Sequence, residues 1–229
     1  MGGHGFLLAR PRALSPHTAV LGTREAHLLG SVGLLYVGAI LFLNGCMLLG
    51  WVNGKSAVPL NIFVGVLQVI TPTYLIFTAN GNTAQILGAS GLYLFGFTYL
   101  YVAFNLWNEL DGTGLGFFSL FVAVCAVVYA AIAFNDKDYA FGVIWLYWAY
   151  LWLLFFILLG RGRDGLGRYT GAVAAIQGWV TGAIPAFLLL TGRWADLSNT
   201  TVAVVLAIFG VVVFGALVPV MRSKTAAAA

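Results

Sequence analysis

The chain has 229 residues, of which 61% are hydrophobic and 8% are charged, and its mean hydropathy is +0.96. Soluble domains carry about 25% charged residues, so this composition excludes a soluble fold and leaves room for about six or seven membrane helices of about 20 residues each. The net charge of +4 comes from basic residues between apolar segments. The positive-inside bias explains that distribution, so we expect no nucleic-acid partner.

The first 27 residues differ from the rest of the chain. They contain all three histidines, at positions 4, 17 and 27, together with several prolines and glycines. Their apolar stretch from Gly5 to Leu8 is too short for the core of a signal peptide. We therefore predict a flexible N-terminal arm over residues 1–27.

Seven apolar segments follow, each long enough to cross a membrane as a helix. They cover residues 28–49, 57–78, 84–107, 115–134, 139–159, 171–191 and 202–220. Polar connections separate them, including the tight turn Asn80-Gly81-Asn82. The sequence predicts an all-α polytopic membrane protein with an arm (1–27), a six-helix domain (28–194) and a seventh helix with a short tail (195–229).

The basic residues of the connections predict the orientation in the membrane. One side carries six of them and the other three, namely Lys55, Arg161, Arg163, Arg168, Arg222 and Lys224 against Arg24, Lys137 and Arg193. Because basic residues concentrate on the cytoplasmic side, the N-terminus is expected outside and the C-terminus inside. Counting Arg10 and Arg12 of the arm narrows the ratio to six against five.

Two pairs of segments resemble each other. The motif Gly33-Leu-Leu-Tyr36 resembles Gly91-Leu-Tyr-Leu94, and residues 61–66 resemble residues 119–124. This pattern predicts three helical hairpins with a pseudo-threefold repeat, although membrane helices rich in Gly, Leu and Val also match by chance. In the sixth segment, the spacing of Gly178 and Gly182 predicts close packing against another helix.

The fifth segment carries three tryptophans on one helical face. Trp145, Trp148 and Trp152 are spaced at i, i+3 and i+7 within a run that has no charge. One interpretation is a packing face between helices, and the other is a narrow slot in which a small planar solute slides along the indole rings. In either case each buried indole N–H needs a hydrogen-bond partner.

No Asp, Glu, Lys, Arg or His lies well inside any apolar segment. This absence argues against proton relays, ion-coupled pumps, metal chemistry and hydrolytic catalysis, so we expect no enzyme and no cofactor. Cys46 and Cys125 are interpreted as packing residues. The intramembrane polar groups are neutral and suit an uncharged solute with hydrogen-bonding edges, and they comprise Asn44, Asn61, Gln68, Thr98, Ser119, Gln177 and Thr181.

Several motifs between residues 33 and 194 together resemble one known family. They are Leu34-Leu-Tyr-Val-Gly38, Asn44-Gly45, Leu94-Phe-Gly-Phe-Thr-Tyr-Leu-Tyr101, Ser119-Leu-Phe-Val-Ala123, Ile144-Trp-Leu-Tyr-Trp148, Leu151-Trp152 and Ile184-Pro-Ala186. With these motifs the chain resembles the AmiS/UreI family of bacterial urea and short-chain amide channels. The resemblance implies a six-helix protomer with its own passive pathway, a homohexameric ring in the bacterial plasma (inner) membrane, and lipid as a candidate filling of the central hole. The seventh helix lies outside it.

The resemblance also implies where the pathway narrows. An inner constriction falls on Phe95, Tyr99, Trp145, Trp148, Leu151 and Trp152, and an outer constriction on Leu34, Val37, Leu41 and Asn44. The acid-activated urea channel of the family has a glutamate where this chain has Gln177, so a neutral amide would meet the solute at the inner constriction.

Two functions from different classes remain open at this point. The first is a passive, pH-independent channel for urea or short aliphatic amides such as formamide and acetamide. The outward connections at residues 79–83 and 135–139 are short and lack histidine, which favours a channel without acid gating. The alternative is a non-conducting structural or partner-binding membrane subunit whose aromatic face packs against another helix.

Overall fold

The computed structural model describes the backbone of residues 16–226 and the side-chain environment of residues 28–221. This part of the chain is helical throughout, without strands, and seven of its helices are long and apolar enough to cross a membrane. They are α1 (Pro16–Leu48), α2 (Gly54–Phe77), α3 (Thr83–Asn108), α4 (Thr113–Asn135), α5 (Tyr139–Gly160), α6 (Asp164–Leu190) and α7 (Asn199–Ala226). The prediction of an all-α polytopic membrane protein with seven helices is confirmed.

The first helix is longer than the predicted membrane segment. It begins at Pro16, so residues 16–27 of the predicted arm continue α1 as helix, and residues 1–15 lie outside the described residues. Proline is favourable at the first position of a helix because its missing N–H would have no partner there. The division of the chain at residue 27 stays a prediction.

The ends of the helices follow from local capping. Asn82 Oδ1 accepts a hydrogen bond from Gln85 N at 3.1 Å at the start of α3, and the side chain of Asp138 accepts one from Phe141 N at 3.3 Å at the start of α5. Between α2 and α3, Asn80 and Gly81 have φ of 50° and 81°. Glycine and asparagine adopt this left-handed conformation more readily than other residue types. The predicted tight turn is therefore confirmed.

Helices α1 to α6 form a closed ring in which extensive and sparse contacts alternate. The pairs α2–α3, α4–α5 and α6–α1 pack most extensively, whereas α1–α2, α3–α4 and α5–α6 touch less. This alternation repeats three times around the ring, as the pseudo-threefold repeat requires. The closest pairs are therefore displaced by one helix from the hairpins that the sequence repeat suggested.

Glycines bring the backbones of α1 and α6 into direct contact. A Cβ atom on Gly182 would lie 2.5 Å from Gly38 Cα, and one on Gly178 would lie 2.5 Å from Gly38 O. One on Gly45 would lie 2.5 Å from Ala175 N. Lipid supplies no hydrophobic driving force between helices, so this close approach holds the pair together by van der Waals packing. The close-packing role predicted for Gly178 and Gly182 is confirmed.

Helix α7 packs on the outside of the ring, against α5 and α6. Asn199 accepts a hydrogen bond from Ala140 N at 2.7 Å and donates one to the carbonyl of Lys137 at 2.6 Å. The hydroxyl of Tyr147 on α5 donates to Leu206 O at 2.5 Å. The hydroxyl of Tyr169 on α6 donates to Phe214 O, further along α7, at 3.1 Å. A few polar contacts thus hold a helix that is otherwise mostly exposed.

Candidate solute pathway

A cavity of about 450 Å³ enters the helix ring from the end at which α1 crosses into the membrane. We call it the vestibule. Its mouth lies near Asn82 and Gln85, at the start of α3, and its walls come from α1, α2, α3, α5 and α6. Most of its lining is apolar, and its volume is comparable with that of small-molecule sites, which span about 300–1,000 Å³.

The eleven predicted pathway residues divide between the vestibule and the buried interior. The first group lines the vestibule and consists of Leu34, Val37, Phe95, Trp145 and Trp148. The second group lies buried further along the same helices and consists of Leu41, Asn44, Tyr99, Leu151, Trp152 and Gln177. All eleven therefore either line the vestibule or lie buried further along the same helices, and their role in a pathway stays a prediction.

The two sets of residues that the family resemblance assigns to an outer and an inner constriction are not separated by depth along the helices. Leu34 and Asn44 are ten residues apart on α1, which corresponds to about 15 Å along the helix axis. Leu34 lines the vestibule together with Phe95, although the two were expected in different constrictions. Residues of both expected constrictions thus occur at the vestibule and below it.

Four rings form an aromatic cluster between the vestibule and the core: Phe95, Trp145, Trp148 and Trp152. The Phe95 ring contacts Trp148 and Trp152 edge to face, with centroid distances of 4.8 Å and 5.0 Å and interplanar angles of 74° and 83°. A planar solute between two stacked rings needs about 7 Å, because each layer takes about 3.5 Å. The indoles of Trp148 and Trp152 are therefore packed on Phe95, as in the packing interpretation, and a solute fits between Phe95 and either indole only if the two rings separate.

Both deep indoles have the hydrogen-bond partners that burial requires. Trp148 Nε1 donates to Thr181 Oγ1 at 3.0 Å, and Trp152 Nε1 donates to Thr98 Oγ1 at 3.2 Å. Each threonine hydroxyl in turn donates to the carbonyl four residues earlier in its own helix, at 2.8 Å and 2.7 Å. These bonds fix the indoles from α6 and α3, and they leave the ring faces as the only surfaces offered to a solute.

The amides of Asn44 and Gln177 differ in which atoms remain without a hydrogen-bond partner. Asn44 and Asn61 bond each other reciprocally, at 3.0 Å and 2.9 Å, so Asn44 is committed to a neighbouring helix. Gln177 Nε2 donates to the carbonyl of Tyr147 at 3.0 Å, whereas Gln177 Oε1 has no partner among the described residues. Gln177 ends the first α-helical part of α6 and precedes a π-helical turn at Gly178–Ala183, a feature that is frequent at functional sites.

The fully buried amide of the vestibule is missing from the predicted set. Gln68 of α2 is fully buried and lines the vestibule, and its Oε1 atom also has no partner among the described residues. The sequence does contain a signal for it, because Asn61 and Gln68 are seven residues apart and so share one helix face. The hydroxyl of Tyr99 is a third buried polar atom that lacks a described partner.

Charged groups in the described residues lie at the helix ends and connections. Burial raises the pKa of Asp138 at the vestibule end, whereas hydrogen bonds from Thr113 lower the pKa of Asp111 at the opposite end. Lys55 and Glu109 form an exposed ion pair at 2.7 Å. Residues 28–221 contain no group of three or more His, Cys, Asp or Glu side chains that could hold a metal ion.

A ring of membrane helices with a mostly apolar vestibule, lined by a buried neutral amide and by no charged side chain, is typical of a membrane transport protein for small uncharged solutes. Sequence comparison identifies the family: residues 29–193 match the model of the AmiS/UreI family of transporters, and the chain belongs to that family.

Several relatives show where this chain lies within the family. It is 54% identical over 183 residues to a Mycolicibacterium smegmatis protein described as an amidate substrates transporter, covering 80% of this chain and 85% of the relative. The acid-activated urea channel of Helicobacter pylori is 35% identical over 193 residues, covering 70% and 97% of the two chains. The crystal structure of the H. pylori urea channel superposes with a TM-score of 0.64, covering 72% of this chain and 98% of that one.

Proposed function

We propose that the protein is a passive channel that conducts urea and short-chain aliphatic amides without acid gating. The observation that carries the proposal is the vestibule, whose lining contains no charged side chain, together with a buried neutral amide outside that lining, Gln177, whose carbonyl oxygen has no partner among the described residues. The names of the relatives, an amidate substrates transporter and a urea channel, support the same class of solute.

The chemistry of the unpaired atoms matches both edges of an amide. Gln177 Oε1 is an acceptor for a solute N–H, and the Tyr99 hydroxyl is a donor for a solute carbonyl. The indole faces of Trp148 and Trp152 offer flat apolar contact to the plane of the solute. An ion would lose its hydration here without replacement, so the same surfaces exclude charged solutes.

Movement of the Phe95 ring is part of the proposed mechanism, because the ring packs edge to face against both Trp148 and Trp152. Asn44 contributes less than the sequence suggested, because its amide is paired with Asn61. The pathway therefore depends on Gln177 and Tyr99 for hydrogen bonding and on the aromatic cluster for selection by shape.

Assembly and orientation belong to the same proposal. We propose a homohexameric ring with lipid in its central hole, as the family resemblance implies, and a bacterial plasma (inner) membrane location with the N-terminus outside. The vestibule would then open to the outside. Native mass spectrometry of the detergent-extracted protein tests the number of protomers, and membrane-impermeant labelling of single cysteines placed at residues 81 and 163 tests the orientation.

Stopped-flow light scattering on proteoliposomes tests conduction. Urea, formamide, acetamide and glycerol uptake is compared with empty vesicles at about pH 5.5 and about pH 7.5, which bracket the range of histidine titration. We expect fast entry of urea or amides at both pH values and little entry of glycerol. Entry at acid pH alone would show gating, and no entry from folded protein would favour the structural or partner-binding subunit.

A further inference from the structure

The vestibule contains a fully buried amide that the family resemblance does not assign to the pathway. Gln68 projects from α2, and the other two amides of the lining, Gln85 and Asn82, are partly exposed and exposed to water, respectively. Gln68 is therefore the buried amide that the vestibule itself presents to a solute, in the same lining as Phe95, Trp145 and Trp148.

Hydrogen bonding fixes which end of the Gln68 amide is free. Gln68 Nε2 donates to the backbone carbonyl of Gly33 at 3.0 Å. A carbonyl oxygen only accepts hydrogen bonds, so the atom that faces Gly33 is the amide nitrogen, and Oε1 is left without a partner among the described residues. A buried acceptor without a partner is unfavourable, which gives this oxygen a strong preference for any N–H or water that enters.

The packing around Gln68 holds the amide in place before a solute arrives. Gly33 has no side chain, and a Cβ there would lie 3.1 Å from Gln68 Oε1 and 3.2 Å from Nε2. On the other side, a Cβ on Gly96 would lie 2.9 Å from the backbone carbonyl of Gln68. Glycines of α1 and α3 thus let both helices close around Gln68, so little freedom remains to be lost when a solute binds.

We propose that Gln68 Oε1 is the first recognition point of the pathway, where it accepts a hydrogen bond from the N–H of urea or of a primary amide. This inference rests on the proposed function and deepens it, because it assigns solute selection to the vestibule as well as to the interior. Gln68 and Gln177 then act in sequence, with the Tyr99 hydroxyl in the buried interior as a donor for the solute carbonyl.

A kinetic experiment distinguishes a role of Gln68 in solute binding from a role in holding the helices together. Initial rates of radiolabelled urea uptake into proteoliposomes are measured against urea concentration for the wild type and for Gln68→Met, which keeps the length of the side chain and removes the acceptor. We expect the half-saturating concentration to rise about 3- to 10-fold, the range of one net hydrogen bond, with a smaller change in maximal rate. A residue that serves only to hold the helices would lower the amount of active protein and leave half-saturation unchanged.

Two further variants sharpen the comparison. Thr73→Val changes a polar residue of the same helix that does not line the vestibule and whose hydroxyl donates to the carbonyl of Val69, so half-saturation should stay at the wild-type value. Gln68→Glu keeps both functions of the amide at acid pH, because a buried carboxyl is neutral there and can donate to Gly33 while its carbonyl oxygen accepts. We expect wild-type half-saturation for Gln68→Glu at acid pH, also where Gln68→Met fails to assemble.

The outcomes distinguish this inference from the proposed function. If the wild type conducts no urea or amide, the proposed function fails and the inference fails with it. If the wild type conducts, and either Gln68→Met leaves half-saturation unchanged or Gln68→Glu raises it at acid pH as much as Gln68→Met does, Gln68 is not the recognition point and the channel function stands.

Discussion

Removal of the Phe95 ring should open the pathway and weaken its selection by size. The ring contacts Trp145, Trp148 and Trp152 at centroid distances of 5.8 Å, 4.8 Å and 5.0 Å. Each aromatic contact contributes about 0.5–1.5 kcal/mol beyond area burial, so about 1.5–4.5 kcal/mol holds the ring across the passage. This is the energy that a solute must replace when it displaces Phe95.

Phe95→Ala eliminates that cost. Because about 1.4 kcal/mol corresponds to a factor of ten, the lower end of the range predicts at least a roughly tenfold rise in the permeability of the bulkier solute glycerol. Stopped-flow light scattering with urea and glycerol on the same vesicles measures the change in selectivity. Truncation of a buried phenylalanine also costs about 3–5 kcal/mol of stability in soluble proteins, so the assembled fraction must be measured in parallel.

Phe97→Ala provides the matched control. Phe97 lies on the same helix, but its side chain is 49% exposed on the outer surface and stacks on Tyr93. Its removal should leave the urea-to-glycerol ratio unchanged. If Phe95→Ala is assembled and still rejects glycerol as the wild type does, the Phe95 ring does not close the passage and the reasoning is refuted.

Two further predictions concern stability. Gly182→Ala places a methyl group 2.5 Å from Gly38 Cα, so overpacking should lower the stability by about 1–3 kcal/mol. Gly215→Ala is the control, because no atom lies within 4 Å of its added methyl group and the thermal midpoint should not fall. Size-exclusion chromatography and thermal unfolding compare the two variants. Burial raises the pKa of Asp138, so its contribution to stability is present below the unfolded pKa of about 3.9 and is lost as pH rises through the higher folded value. Asp138→Asn keeps the capping oxygen without the charge and should raise the thermal midpoint at neutral pH but not at acid pH; an unchanged or lower neutral midpoint would contradict this reasoning.

The membrane helices could be predicted from sequence because the length of each apolar run is enough to identify them. A run of apolar residues of sufficient length is a membrane helix almost regardless of its neighbours. The start of α1 was missed because residues 16–27 are polar enough to be assigned to an arm, whereas a helix can continue beyond the membrane once its first turns are formed.

The details of the pathway depend on side chains from different helices, which sequence spacing does not bring together. The spacing of the tryptophans on α5 correctly put their indoles on one face, but it could not show that Phe95 of α3 packs against all three of them. Similarly, Asn44 looked like a free amide because its partner Asn61 lies on another helix. Gln68 was visible as a polar residue, but only the fold shows that its oxygen is unpaired.

Helix α7 contacts one residue that also holds the side chain of Gln177. The family match ends at residue 193, and all residues of the vestibule and the aromatic cluster lie before that point. Tyr147 connects the two parts: its carbonyl holds Gln177 Nε2 at 3.0 Å, while its hydroxyl bonds Leu206 O and its ring packs against Gly210 of α7. Tyr147 therefore contacts α7 through its side chain and the Gln177 amide through its backbone carbonyl, so a displacement of Tyr147 by the loss of α7 would change the contacts of both.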